Sequence, residues 1–61
     1  MLNITKKYIE ENDVDLNDNQ SLGFHLEELI AIIQQGGLGP KDAEYKIAKD
    51  LYHCFKEVQP L

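Results

Sequence analysis

A tight turn between two helices can be read from residues 33–42, Ile33-Gln34-Gln35-Gly36-Gly37-Leu38-Gly39-Pro40-Lys41-Asp42. Gly37 can adopt the left-handed conformation that ends a helix, with Ile33 and Leu38 as the apolar pair that accompanies this kind of cap. Pro40 suits the first position of a following helix, and Asp42 falls in that helix's first turn, where negative charge is favourable. The segment therefore predicts two antiparallel helices joined by a short connection.

The helix after the turn, predicted over residues 40–58, carries more apolar surface than one partner helix covers. Placed at 100° per residue, nine side chains fill an arc of roughly 200°. They are Ala43, Tyr45, Ile47, Ala48, Leu51, Tyr52, Cys54, Phe55 and Val58. One partner helix needs a stripe of about 100°, so the wider arc predicts two packing faces. The outer face, here called the apolar shoulder, consists of Tyr45, Ala48, Tyr52 and Phe55.

The helix before the turn is predicted over residues 22–35, with an apolar seam about 100° wide. The seam consists of Leu22, Leu26, Leu29, Ile30 and Ile33. Ser21 is the natural cap, but Gly23 weakens the first turn, so the helix is expected to begin nearer Phe24. Phe24 and Ile32 lie outside the seam, so what they pack against is as open as it is for the apolar shoulder. Each could meet the first helix, a second copy of the chain or a foreign protein.

The N-terminal segment is predicted to be a short helix over residues 4–12. Ile4 and Tyr8 are four residues apart and share one helical face, and Asn3 or Thr5 can cap the helix. The two apolar residues also have the parity of a strand, but no second strand is visible for pairing. The helix is therefore favoured.

Residues 13–20 form a polar, acidic loop, in which Val14 and Leu16 are expected to attach the chain to the core. Five of the eleven acidic residues lie close together here: Glu10, Glu11, Asp13, Asp15 and Asp18. One interpretation is a docking patch for a basic partner, and the other is a solvated loop that keeps the protein soluble. Asp and Asn favour turns because their side chains bond to nearby backbone, which supports the second interpretation.

The same segment begins like a calcium-binding loop. Asp13, Asp15 and Asn17 match the first three ligand positions of an EF-hand. The pattern then fails, because Asp18 stands where a glycine makes the turn and Phe24 stands where a bidentate glutamate belongs. No metal and no cofactor are therefore expected.

Catalysis is not indicated by the histidines or the cysteine. His25 and His53 fall on the polar sides of their helices and are expected to be exposed. His53 and Cys54 are adjacent but point about 100° apart on a helix, so they do not form a nucleophile and base pair. Cys54 is expected to be a small buried hydrophobe, and the alternative is an intermolecular disulfide across a symmetric interface. The chain also lacks a glycine-rich phosphate loop, so no enzyme is predicted.

The length and the net charge of the chain limit the folds and the binding partners that are possible for it. A chain of 61 residues forms one domain, here residues 1–61, with a marginal core. A single cysteine excludes an internal disulfide, which leaves self-association as the means of stabilisation. The net charge of −5, with six lysines and no arginine, argues against binding nucleic acid or an anionic membrane and permits a basic protein partner. No apolar run approaches a membrane span or a signal peptide, so a cytoplasmic protein is expected.

Together these features predict an all-α fold, a helical hairpin with a short N-terminal helix, in which two copies associate into a helical bundle. The expected function is protein binding without catalysis, by an accessory or inhibitor protein of bacterial or phage type that occludes a surface on a larger target. The expected interface residues are Phe24, Ile32, Tyr45, Ala48, Tyr52 and Phe55. The alternative is a helix-turn-helix-like DNA-binding regulator, for which the chain offers few base-reading donors.

Overall fold

The computed structural model describes residues 1–58 and consists of three helices with no strand in that range. They are α1 (Asn3–Asn12), α2 (Asn19–Gly36) and α3 (Ala43–Val58). The all-helical prediction is confirmed, including the helix at the N-terminus, where a strand was the competing interpretation. None of the helices in the described range is long and apolar enough to cross a membrane.

The turn between α2 and α3 has the predicted cap. Gly37 lies in the left-handed region, with φ 60° and ψ 35°, and its N–H donates to the Ile33 carbonyl. The Leu38 N–H donates to the same carbonyl at 2.9 Å.

Contacts between the far ends of α2 and α3 give the direction of the two helices. A Cβ at Gly23, near the start of α2, would lie 3.7 Å from Cε2 of Phe55, near the end of α3. The two helices are therefore antiparallel.

The start of α3 differs from the prediction, which put Pro40 in the first helical position. The helix begins at Ala43, because Asp42 holds the preceding residues as a turn. Its carboxylate accepts the Gly39 N–H at 2.8 Å. Its own N–H donates to the Gly39 carbonyl at 3.0 Å, and its carbonyl accepts the Lys46 N–H at 3.2 Å. Asp42 is therefore the residue immediately before α3 and not part of its first turn.

Helix α2, in contrast, begins earlier than predicted, at Asn19. The Asp18 carboxylate caps this helix by accepting the Gln20 N–H at 3.0 Å. Ser21, the expected cap, instead accepts the Asp15 N–H at 3.1 Å, which fixes the loop between α1 and α2. Gly23 is tolerated inside the helix.

The core lies between α2 and α3 and is closed by α1 and the loop that follows it. Its buried apolar residues are Val14, Leu22, Leu26, Leu29, Ile47, Ala48 and Leu51. Leu16 and Cys54 are half-buried against this core, so the loop is attached as predicted and Cys54 is less enclosed than expected. Ile30, assigned to the seam from the sequence, is exposed.

Helix α1 packs against α3, and its Tyr8 also contacts His25 of α2. The Tyr8 hydroxyl and His25 Nδ1 are hydrogen-bonded at 3.1 Å, and the two rings meet edge to face. Burial, followed by the charge of Glu28, raises the pKa of the Tyr8 hydroxyl, which keeps it protonated. His25 is therefore half-buried, and the expectation that it is exposed was wrong.

Candidate functional site

An apolar groove of about 590 Å³ runs between α2 and α3. Its side chains come from Leu26, Ile30 and Ile33 on α2 and from Tyr45, Ala48 and Tyr52 on α3. Spacings of three, four and seven residues bring these side chains to one side of each helix. We refer to this feature as the α2–α3 groove.

The walls of the α2–α3 groove are exposed and its floor is buried. Tyr45, Tyr52 and Ile30 have 37%, 52% and 46% of their surface exposed, whereas Ala48 belongs to the core. The ammonium group of Lys56 lies 5.6 Å from the centre of the Tyr52 ring. Tyrosine suits a binding surface of this kind, because its ring can be buried while its hydroxyl remains hydrated.

The two rims of the groove differ in charge. Lys49 lines the groove on the α3 side, and Lys56 follows it seven residues later on the same side of that helix. Gln34 lines the groove on the α2 side, and Glu27 precedes it by seven residues. The α3 rim is therefore basic and the α2 rim is neutral to acidic.

The predicted interface residues do not form one surface. Tyr45, Ala48 and Tyr52 meet in the α2–α3 groove. Phe55 is half-buried against the core, beside Gly23. Ala48 is buried in the core and Phe55 is partly buried against it, so both offer less exposed surface than Tyr45 and Tyr52.

Phe24 and Ile32 lie on other sides of α2 from the groove. At 100° per residue, each is more than 100° around the helix from Ile30. Phe24 is 58% exposed and meets the His25 ring edge to face, with the ring centres 5.2 Å apart. Ile32 is 47% exposed. These two residues form a separate strip, which we call the outer face of α2.

Six residues that line the groove were not among the predicted interface residues: Leu26, Ile30, Ile33, Gln34, Pro40 and Lys49. Ile30 lies at the margin of the predicted apolar seam and is exposed, whereas Leu22 and Leu29, nearer the opposite margin, are buried. Its place at the edge of the seam was the only available signal. Pro40 was assigned to a helix, whereas it lies in the turn and lines the groove.

The five acidic residues near the first loop are all exposed. Two of their carboxylates accept backbone hydrogen bonds: Asp15 from the Asn17 N–H at 2.9 Å, and Asp18 at the start of α2. Asp13 ends α1 in the left-handed conformation, with φ 55°. Part of the cluster therefore shapes the loop. Within residues 1–58, no group of three or more His, Cys, Asp and Glu side chains is arranged to hold a metal ion.

A second concavity, of about 450 Å³, lies between the start of α1 and the outer side of α3. Lys46, Asp50 and His53 are among the residues that line it. The Thr5 hydroxyl, which donates a hydrogen bond to Asp50, is the main reason that the pKa of this carboxyl lies below its ordinary value. The Asp50 carboxylate is thus engaged in holding α1.

Comparison with known proteins gives no match: no family model fits the chain, and no curated protein and no solved structure is significantly similar to it.

Proposed function

We propose that this chain is a small, non-catalytic protein-binding module that pairs with a second copy of itself and docks on a larger protein. The observation that carries the proposal is the exposure of large apolar side chains in two separate places, the α2–α3 groove and the outer face of α2. Soluble monomers expose few contiguous apolar patches, and those they do expose commonly bind other proteins. Docking would cover a surface of the target, as an accessory or inhibitor protein does.

Self-association is assigned to the α2–α3 groove. A chain of 61 residues buries only about 60% of its unfolded surface, so its core is marginal. Covering Ile30, Tyr45 and Tyr52 with the same residues of a second copy would enlarge that core without further chain. Two hairpins joined in this way form a four-helix bundle.

Docking on the larger protein is assigned to the outer face of α2. Phe24 and Ile32 are eight residues apart, with the exposed Glu28 one turn from each. An exposed aromatic residue next to a carboxylate fits a partner with an apolar pocket and a basic rim. The acidic residues near the start of α2 would steer such a partner toward this end of the molecule.

A cytoplasmic location is part of the proposal. It is supported by Cys54, a free thiol, because unpaired cysteines persist in reducing compartments.

Site-specific photo-crosslinking in an extract of the native host tests the proposal. A photoreactive side chain replaces Phe24 in one variant, Tyr52 in a second, and Lys7, exposed on α1, in a control. We expect an adduct with one larger protein from position 24 and an adduct of twice the chain's mass from position 52. Adducts that form equally from position 7, or none from position 24, would contradict docking through the outer face of α2.

A further inference from the structure

Opposite charges on the two rims of the α2–α3 groove define what can occupy it. Lys49 lines the groove on the α3 side, and spacings of seven residues place Lys56 on the same rim and Glu27, with Gln34, on the α2 rim. All three charged side chains are exposed. A helix laid in the groove therefore meets positive charge on one side and negative charge on the other.

Lys49 and Glu27 lie at nearly the same height along the hairpin. Gly23 of α2 lies beside Phe55 of α3. Because the helices are antiparallel, Lys49, six residues before Phe55, is level with Leu29, six residues after Gly23. Glu27 is two residues from that level, which is about 3 Å along the helix axis.

We infer that a second copy of the chain occupies the α2–α3 groove, with the two-fold axis parallel to the helices. In this arrangement α3 of each copy faces α2 of the other, and Lys49 of each copy lies beside Glu27 of the other. The ion pair forms twice, because a two-fold interface is self-complementary. The inference rests on the self-association proposed above and specifies its geometry.

The alternative two-fold axis, perpendicular to the helices, is disfavoured by charge. It brings α3 of one copy against α3 of the other, so that Lys49 and Lys56 meet the same lysines. Like charges placed opposite each other at an interface oppose association. With the axis along the helices, every pair of neighbouring helices is antiparallel, as in up-down bundles.

The area required is compatible with a molecule of this size. A typical stable interface removes about 800 Å² from each partner, which is roughly one-sixth of the 4534 Å² accessible surface of the chain. The Cα atoms extend over 32 × 22 × 16 Å, so one long face presents an area of this order. The groove, lined by Ile30, Tyr45 and Tyr52, supplies the apolar centre of that face.

Charge reversal tests this arrangement. Sedimentation equilibrium is measured from about 1 µM to about 500 µM for the unaltered chain, Glu27→Lys, Lys49→Glu and the double variant. Each single reversal places like charges together twice, so we expect the dimer dissociation constant to rise at least about tenfold. The double variant restores opposite charges, so its dissociation constant should return to within about threefold of the unaltered value. Circular dichroism checks that each variant keeps its helicity.

The outcomes separate this inference from the proposed function. A dimer that is unaffected by the single reversals, or that the double variant fails to restore, would overturn the arrangement and leave the proposed dimer in place. A chain that is monomeric at every concentration would overturn both the dimer and its arrangement. Docking through the outer face of α2 is tested separately, by crosslinking from position 24.

Discussion

The hydroxyl of Thr5, fully buried at the start of α1, donates a hydrogen bond of 2.5 Å to the carboxylate of Asp50 in α3. The same carboxylate oxygen accepts the Leu2 N–H at 3.1 Å. Helix α1 has no side-chain cap of its own at Leu2. Asp50 therefore supplies the negative charge that the N-terminal end of a helix favours, and it joins α1 to the hairpin.

Loss of this contact should weaken the whole fold. We expect Asp50→Asn to reduce the free energy of unfolding by about 1–2 kcal/mol, because hydrogen bonds to a charged acceptor become neutral ones. Urea unfolding followed by circular dichroism measures the change. Glu57→Gln, which neutralises an exposed acid in the same helix, is the matched control and should have little effect. Equal losses in the two variants would show that Asp50 acts only through its general charge.

The Asp50 contact should also depend on pH. The pKa of Asp50 lies below its ordinary value of 3.8. The main cause is the hydrogen bond from the Thr5 hydroxyl, and the Leu2 N–H, the N-terminal ammonium group and His53 lower the pKa further. A carboxyl whose pKa is lower in the folded state stabilises that state above the unfolded pKa. This contribution is lost as the pH falls through the folded pKa, below 3.8. The stability difference between the unaltered chain and Asp50→Asn should therefore be constant near neutral pH and shrink below about pH 4. A difference that grows on acidification would contradict the assignment.

The turn between α2 and α3 offers a test with its own control. Gly37 has a φ of +60°, which side chains rarely adopt, whereas Gly39 has no positive φ and no atom within 4 Å of an added Cβ. We expect Gly37→Ala to cost about 1 kcal/mol of stability and Gly39→Ala to cost much less. Thermal unfolding of both variants measures the difference. Equal losses of stability would show that the left-handed conformation at position 37 does not require glycine.

The hairpin could be predicted because its signals are local. Gly37, Ile33 and Leu38 define the cap within six residues, and the apolar period of each helix is read from its own sequence. The bond between Thr5 and Asp50 joins residues 45 positions apart. No periodicity connects them, and Thr5 was considered only as a local cap.

The groove was only partly predictable for a related reason. The wide apolar arc of α3 indicated that Tyr45 and Tyr52 lie beyond the core, and both are exposed. A helical wheel gives the direction of a side chain but not where the neighbouring helix crosses. Ile30 was therefore assigned to the core, and Phe24 and Ile32 were grouped with residues that face another side of the molecule.

Retention on heparin distinguishes the DNA-binding alternative from the protein-binding proposal. Lys46, Lys49 and Lys56 lie toward one side of α3, but the chain has a net charge of −5. We expect no retention on heparin at about 150 mM salt, because non-specific phosphate binding requires an excess of cationic contacts. Strong retention that is lost in Lys49→Glu would favour DNA as the partner.

The α2–α3 groove as a self-association surface is tested by a matched pair of substitutions in α2. Ile30 and Ile32 are the same residue type in one helix, with 46% and 47% of their surface exposed, but only Ile30 lines the groove. Sedimentation equilibrium at about 100 µM should show a dimer for the unaltered chain and for Ile32→Glu, and a folded monomer for Ile30→Glu. A monomeric unaltered chain, or the same mass for both variants, would contradict the dimer that the groove is proposed to form.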